Sequence, residues 1–509
     1  MAGGAIERVV ILGGGTAGWM AAAALSRALK NSGIAIDLIE SDEIGVIGVG
    51  EATVPDIRRF NDYLGVDEAD FMRQCRATFK LGIEFLDWGA VGRRYMHPFT
   101  HYGVDPGQRQ FQRLYLKHAL AGQASGVATS FDDYNLASIA ARAGRFCLSP
   151  KTQLSAAGTL NYAFHFDAVL YARFLRNIAE RHGVRRIEGK VVCVGQDKDS
   201  GFIQSTTLAG GSVVRGDFYI DCSGFTGVLI EGALGTGYEE WGHWLPCNRA
   251  IALPTASVHP PAPYTRSTAD VAGWIWRIPL QHRVGNGYVY SSRHISDEEA
   301  EVRLMSRVDG APLAEPRRIQ FVTGKRKRVW NGNCLALGLA AGFLEPLEST
   351  SIHLIQTSLL RLISYFPDKG FEPVEIDAFN QQTDEEYGDI RDFLITHYKL
   401  TSRDDTPFWT ECRDMDVPDR VRAIIDLFAA KGRLTLRPEQ LFTTQSWLAI
   451  LLGQTELPRG CDPLLAAMPQ ERLEQEMSHV RLQLNAVVRT MPQHAQFVRE
   501  YCESAKAMA

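Results

Sequence analysis

The chain opens on an unbroken apolar block, Val9-Val-Ile-Leu12, the pattern of a short strand buried on both faces of a parallel sheet. Residues 13–18 form a glycine-rich turn, residues 19–29 an alanine-rich helix and residues 34–40 a second strand, so residues 8–40 read as one βαβ unit. Residues 56–80 carry a helical pattern, and residues 95–145 are irregular and aromatic. A helix is expected over 165–183, where Phe166, Leu170, Phe174 and Ile178 recur at steps of four. Strands are expected at 190–194, 202–207 and 218–221, and alternation resumes over 272–291. An apolar Gly/Ala-rich strand and turn at 333–343 leads into a helix from about residue 350. From 376 onward the chain reads as mainly helical. Its last clear helix lines up Leu473, Met477, Val480, Leu484 and Val487 as a core stripe.

One alternating stretch stands apart: Gly273-Trp-Ile-Trp-Arg-Ile-Pro279. Period two puts Trp274, Trp276 and Ile278 on one face, and Pro279 ends the strand's ladder. Taken alone, this fits a Trp-rich core strand. In company with a nucleotide-binding loop it also fits a rigid indole wall.

That loop is Gly13-Gly-Gly-Thr16-Ala17-Gly18, a G-x-G-x-x-G run between strand and helix. Gly13 permits the turn, Gly15 lets backbone approach a pyrophosphate, and Gly18 lets helix and strand pack closely. The helix N-terminus offers its free N–H groups to the phosphates. Glu40, 22 residues after Gly18, stands where a ribose-binding acid is expected, at ~20 residues. A second glycine-rich stretch at 45–53, including Gly50, Ala52 and Thr53, suggests backbone held close to a ligand. With Asp221-Cys-Ser-Gly224 and Gly338-Leu-Ala-Ala-Gly342 further on, the pattern is that of a long dinucleotide held at several points. FAD in extended form is therefore favoured over NAD, for which no second hydride-handling domain is evident.

At 509 residues, with 45% hydrophobic and 22% charged residues, the composition is that of a soluble globular protein of two or three modules. Neither repeats nor linkers break it up, so the modules are expected to interleave. A net charge of -5 and the lack of a basic stripe with interleaved aromatics argue against nucleic acid. The basic clusters Arg317-Arg318 and Lys325-Arg-Lys-Arg328 read as solvated turn and strand faces. Nine scattered cysteines show neither CxxC nor metal-ligand spacing, which fits a reduced cytoplasm and no metal. No signal peptide or membrane span is recognised.

Lys80 sits among apolar neighbours in Thr78-Phe-Lys-Leu-Gly82. Such a lysine either snorkels to solvent or, when desolvated, becomes a usable amine or a strong donor. Glu348-Ser349-Thr350 follows Phe343-Leu344-Glu-Pro-Leu347 and reads as a helix start with Ser349 or Thr350 as cap. A helix start is equally a site for a halide or other anion. Met96-His97-Pro98-Phe99 reads as a loop with a buried aromatic or as a ring-stacking element.

Taken together, these motifs resemble the flavin-dependent tryptophan/indole halogenases over nearly the whole chain. The most specific are Trp-x-Trp-x-Ile-Pro at 274–279 and Gly342-Phe-Leu-Glu-Pro-Leu-Glu-Ser-Thr350; Gly48-Val-Gly-Glu-Ala-Thr53, Phe79-Lys-Leu-Gly82, His165-Phe-Asp167 and Asp221-Cys-Ser-Gly224 support them. The resemblance implies an α/β fold: an FAD-binding, Rossmann-like module of the GR2 flavoprotein type with an interleaved, mainly helical substrate module. The first would occupy 1–375, with substrate-side insertions at about 85–145 and 240–320, and the second 376–509. It implies that FADH2, delivered by diffusion from a separate flavin reductase, reacts with O2 and chloride or bromide to give hypohalous acid. This travels behind the wall of Trp274 and Trp276 to Lys80, which holds or N-halogenates it beside the substrate. Glu348, with Ser349 beside it, would polarise the halogenating species or deprotonate the ring cation, and Thr350 and Ser351 would form the halide site. FAD would be held by Gly13, Gly15, Thr16, Ala17, Gly18, Glu40, Gly50, Ala52, Thr53, Gly338 and Leu344. His97 and Phe99 would sandwich a small aromatic substrate, and a homodimer is the assembly to test. The wall has a physical logic of its own, since activated oxygen in contact with an electron-rich ring would hydroxylate it.

This chain departs from the tryptophan-specific pattern in one place. The segment 429–442, where those members grip the amino acid with tyrosines and an acid, contains no tyrosine and only Glu439 as an acid. Free indole or an indole derivative is therefore expected to be favoured over L-tryptophan. A flavin aromatic monooxygenase and a non-catalytic flavin-binding protein are the alternatives.

Overall fold

A computed structural model describes residues 4–43, 50–104, 111–126, 129–149 and 160–508, the last with side chains to 504. The chain divides into two compact units, each assembled from three stretches. Residues 1–77, 166–243 and 320–388 form one unit; residues 78–165, 244–319 and 389–509 form the other.

The first unit is built on a six-stranded sheet in the order Trp330–Asn331, Cys334–Ala336, Phe218–Asp221, Arg8–Leu12, Ala35–Glu40, Arg185–Glu188. All its pairings are parallel except that of Trp330–Asn331. Val9, Val10 and Ile11 are fully buried in the central strand, as the apolar block requires. Helix Thr16–Ala28 follows, and its wholly buried Ala21–Ala24 run lets helix Ala168–Arg181 pack closely against it. That second helix starts later than the periodicity suggests. Asp167 is its N-cap, accepting from Val169 and Leu170 N–H at 3.0 and 3.2 Å, and His165 and Phe166 belong to strand Ala163–Asp167. The chain is α/β, its parallel sheet of the Rossmann-like kind.

The second unit contains a seven-stranded sheet in the order Arg317–Gln320, Arg249–Thr255, Val284–Tyr290, Gly273–Pro279, Thr265–Asp270, Gly82–Leu86, Arg94–Pro98. Helices Pro407–Asp414, Asp419–Lys431, Thr444–Gln454, Gln470–Thr490 and His494–Met508 belong to it. The stripe from Leu473 to Val487 is buried as expected, but one more helix follows it.

Three expectations need correction. The helical pattern over 56–80 stops early: helices Asp56–Leu64 and Glu68–Gln74 give way to strand Thr78–Lys80, where Thr78 and Phe79 favour extended backbone. Residues 95–145 are not irregular. They contain strand Arg94–Pro98 and helices Phe111–Ala124 and Leu136–Arg142, so His97 sits on a buried strand rather than a loop. Lys325 and Arg326 are buried rather than solvated, because each finds a carboxylate: Lys325 Nζ lies 2.7 Å from Asp384 and Arg326 Nη1 2.7 Å from Glu231.

Candidate active site

In the first unit the glycine-rich segments converge at the carboxyl ends of adjacent parallel strands, where open α/β sheets take their ligands. Gly13 has φ 115°, and a Cβ there would lie 2.2 Å from the Cys222 carbonyl oxygen. A Cβ on Gly18 would lie 1.8 Å from the Gly13 carbonyl oxygen. Gly338 lies against Ala17, whose Cβ would be 2.8 Å from a Cβ at 338. Gly15 is different. A Cβ there would meet nothing within 4 Å among the described residues, and as N-cap of helix Thr16–Ala28 this glycine leaves the first-turn N–H groups without a side-chain cap. That open, donor-lined space beside Thr16 fits a pyrophosphate.

Glu40 closes this loop. Its carboxylate would collide with any side chain at Gly14, and its Oε2 accepts from Trp19 Nε1 at 3.3 Å. Oε1 is held by Arg186, with Arg176 3.5 Å away, so two guanidiniums orient the acid. Asp221 shapes the neighbouring turn. Its buried carboxylate accepts from Ser223 N–H and Oγ–H and from the N–H groups of Leu229 and Ile230, all within 2.9 Å. Gly50, Ala52 and Thr53 are buried near the start of helix Asp56–Leu64, whereas residues 45–49 lie outside the described residues. Between Gly50 and Ala52, burial pushes the Glu51 carboxyl up to about 7.

The segment after Gly342 is also in this unit. Leu344 and Glu345 are buried, and Pro346–Glu348 form a single 3₁₀ turn. Ser349 follows with φ 62°, a left-handed conformation unusual outside glycine. Glu348 is 1% exposed. Thr350 occupies the N-cap of helix Ser351–Ser364 but accepts no cap hydrogen bond: its Oγ1 is buried without a hydrogen-bond partner among the described residues. The first turn of that helix contains no acid and no side-chain cap, so its dipole and N–H groups favour an anion.

In the second unit, Lys80 ends strand Thr78–Lys80 and is 0% exposed. Its Nζ lies 5.1 Å from the centroid of the half-buried Phe99 ring. His97 stands edge-on to Phe99, ring centroids 6.5 Å apart, and leans on Phe393 and Phe442 at 5.6 and 6.0 Å. Phe393 and Phe442 are themselves stacked at 3.7 Å. Lys80 thus shares one aromatic neighbourhood with His97 and Phe99. The segment leading to Phe442 turns its charges elsewhere: Arg437 Nη2 lies 2.5 Å from Asp389, and Glu439 is exposed.

Trp274 and Trp276 lie on an inner strand of the seven-stranded sheet, ring centroids 6.2 Å apart and tilted by 59°. Gly287 faces Trp276 across the ladder, and a Cβ there would lie 2.0 Å from the indole. Trp274 continues into Trp88, which packs edge-on against Trp409 and Tyr398. The pair is therefore anchored in core, as the core-strand reading expects.

The tryptophan halogenase family model matches residues 8–470. The chain belongs to that family. Tryptophan 6-halogenase ThaL of Streptomyces albogriseolus is 35% identical over 97% of this chain and 98% of its own. Tryptophan 7-halogenase RebH of Lentzea aerocolonigenes is 32% identical over 98% and 99%. Among solved structures, the flavin-dependent halogenase Xcc4156 of Xanthomonas campestris superposes with a TM-score of 0.93 at 47% identity, covering 98% of this chain and 99% of its own. BrvH, a flavin-dependent halogenase of Brevundimonas sp. BAL3, gives 0.92 at 44%, covering 97% and 99%. This halogenase is an FADH2-dependent oxidoreductase with FAD as cofactor and a halide ion as co-substrate. Enzymes of this kind draw on a separate flavin reductase and act on a small aromatic substrate. Neither a monooxygenase nor a non-catalytic flavin-binding role is needed. Among the described residues no helix is long and apolar enough to cross a membrane, and no cluster of metal-ligating side chains occurs.

Several supporting residues of the halogenase escaped the sequence reading. Asp132 accepts from Met96 N–H at 3.0 Å and so fixes the His97 strand; burial, opposed by Arg142, lifts its carboxyl to about 6. His494 accepts from Phe79 N–H at 3.2 Å, and burial pushes its imidazole down to about 4. An ordinary imidazole titrates near 6.5, so His494 takes up its proton in the unfolded chain first. The stability it lends is full above pH 6.5 and is lost as the pH falls toward 4, by about 2–3 kcal/mol. Urea unfolding at pH 7.5 and 4.5 should therefore show a smaller pH-dependent loss in His494→Gln than in the wild type. Equal losses would assign the proton uptake to other groups.

Proposed function

We propose that this halogenase attaches halogen to the ring of indole or an indole derivative in preference to free L-tryptophan, with Lys80 receiving the halogen as hypohalous acid. The observation that carries the reading is the buried Lys80 amine beside the Phe99 ring, within the cluster completed by His97, Phe393 and Phe442. FAD bound in reduced form would supply two electrons that activate O2, and O2 would be the oxidant of chloride or bromide, so that FADH2, O2, halide and a proton become FAD, hypohalous acid and water. Gly13, Gly15, Thr16, Ala17, Gly18, Glu40, Gly50, Ala52, Thr53, Gly338 and Leu344 would hold the flavin, and the N–H groups at Thr350 and Ser351 would hold the halide. Trp274 and Trp276 keep substrate and cofactor apart, so that only a small oxidant passes.

At Lys80 the amine hydrogen-bonds hypohalous acid or takes its halogen, releasing water. Phe99 stacks on the substrate ring and His97 lies against it, holding a carbon toward the halogen. The ring gains a C–X bond and loses a proton, so hypohalous acid and arene become haloarene and water. Glu348, with Ser349 beside it, offers negative charge to the cationic ring and accepts that proton.

The preference for indole is supported by segment 429–442. Without tyrosine, with Arg437 committed to Asp389 and Glu439 exposed, it offers no fixed partners for an ammonium and a carboxylate. Each group left unpaired costs ~1–3 kcal/mol. Indole should therefore show a specificity constant ~10-fold or more above that of L-tryptophan. Phe99→Ala should lower indole turnover by loss of stacking. Mass spectrometry of both substrates with chloride or bromide and one flavin reductase tests this, and a constant for tryptophan well above that for indole refutes it.

A further inference from the structure

We propose that His165 and His494 are positioning residues for Lys80: two neutral imidazoles that bind its strand to the end of the Trp274–Trp276 strand and to the chain before the Thr265–Asp270 strand. This rests on the reading of Lys80 as the residue that receives the halogen.

The Lys80 strand is only three residues long and pairs antiparallel with Ala163–Asp167, Thr78 opposite His165 and Lys80 opposite Ala163. So short a ladder fixes little by itself, and side chains complete it. Thr78 Oγ1 lies 2.7 Å from the Pro279 carbonyl oxygen, which can only accept, so the single hydroxyl proton points there. Thr78 Oγ1 must then accept from His165 Nδ1 at 3.1 Å, and the His165 proton sits on Nδ1. His165 Nε2 is left as an acceptor and takes the hydroxyl proton of Thr265 at 2.9 Å. Every member of this relay is buried or closes a buried bond, and its carbonyl end is Pro279, the last residue of the tryptophan strand.

The second histidine acts one residue further along. His494 Nδ1 lies 2.7 Å from the Pro261 carbonyl oxygen, so it carries the proton, and Nε2 accepts from the Phe79 N–H. Beyond it, Leu81 N–H donates to the Pro263 carbonyl at 2.7 Å. The strand is thus tied at 78, 79 and 81, on both sides of Lys80. Burial and the Lys80 charge both work against a cationic His165, which agrees with the tautomers that the contacts dictate. A protonated His494 would turn a second N–H toward the Phe79 N–H, with no acceptor between them.

An amine that must meet a small, diffusible oxidant beside a ring tolerates little displacement, and ~1 Å can cost ~10²-fold in rate. Loosening the strand should therefore divert oxidant into solvent. The test follows the fate of the oxidant: halogenated indole and scavengeable free hypohalite are measured per FADH2 consumed, alongside kcat, KM and FAD affinity. In His165→Leu, His494→Leu and Thr78→Val, product yield should fall at least 10-fold and free hypohalite should rise in compensation. The loss should lie in kcat, with FAD affinity unchanged. His165→Asn can restore a donor toward Thr78 and His494→Gln an acceptor for Phe79 N–H, so each should recover much of the yield. Should a leucine variant fail to fold, Thr78→Val and the amide variants still decide. Normal yields in Thr78→Val and the leucine variants overturn the inference. So does a joint fall of product and hypohalite that the amides do not rescue. Lys80→Ala in the same assay separates the two readings: halogenation that survives it removes the role of Lys80 itself, whatever the histidines do.

Discussion

Lys80→Ala is expected to abolish ring halogenation while hypohalite continues to leave the enzyme. Lys80 is buried at the end of a strand with its Nζ beside Phe99, in one unit, whereas the glycine-rich loop at 13–18 belongs to the other. In the proposed mechanism the amine acts on the oxidant after it has formed. A nucleophilic or acid–base side chain of this kind supplies ~10²–10⁴-fold, and a bare methyl group supplies none of it. With indole, chloride, FAD, a flavin reductase and a scavenger that removes hypohalite free in solution, the halogenated ring should vanish from the mass spectrum. Scavengeable hypohalite per FADH2 consumed should rise above the wild-type level by about the amount of product lost. Lys80→Met, which keeps most of the volume, should behave alike and so exclude a packing defect. Halogenated indole from either variant would end the assignment.

Glu348→Gln is expected to lower turnover ~10²–10³-fold with FAD affinity nearly unchanged. The substitution keeps the shape of a side chain that is 1% exposed and removes only its charge. Glu348 closes the turn Pro346–Glu348 just before the left-handed Ser349, a strained backbone that holds the carboxylate in one place. Preorganised charge is most effective against a cationic ring when it need not move. Steady-state kinetics and flavin titration on the same preparation decide the matter. An unchanged kcat would leave Glu348 a purely structural part.

What was legible in the sequence was whatever local chemistry makes obligatory. Gly13 needs its positive φ, Gly18 and Gly338 permit close approaches, and the apolar block at 9–12 admits only a buried strand. The paired tryptophans were equally plain, because alternation over Gly273–Pro279 is a local signal. The supports of Lys80 were not. The helical pattern from 56 runs almost into Thr78, and nothing nearby says that three residues will turn to strand. His165 looked like the head of an amphipathic helix, since Asp167, the true cap, lies inside the periodic run. His494 could not be found at all: its partner, Phe79, is 415 positions away, and no spacing rule connects them. The burial of Lys325 and Arg326 was hidden for the same reason, each carboxylate partner lying more than 50 residues off.

That last separation has a consequence for how the enzyme comes into being. A ribosome adds ~5–20 residues per second, so the bond from Phe79 to His494 must wait roughly 20–80 s after Phe79 emerges. Both units draw on widely spaced stretches, and the one bearing Lys80 takes in residues 389–509 as well. A chain released early would already possess the strands and loops that bind a flavin, yet its lysine strand would lack the acceptor that His494 provides. The strand that carries Lys80 is thus fastened long after the glycine-rich loop has been made, and by a residue that no neighbour of Lys80 in the sequence can replace.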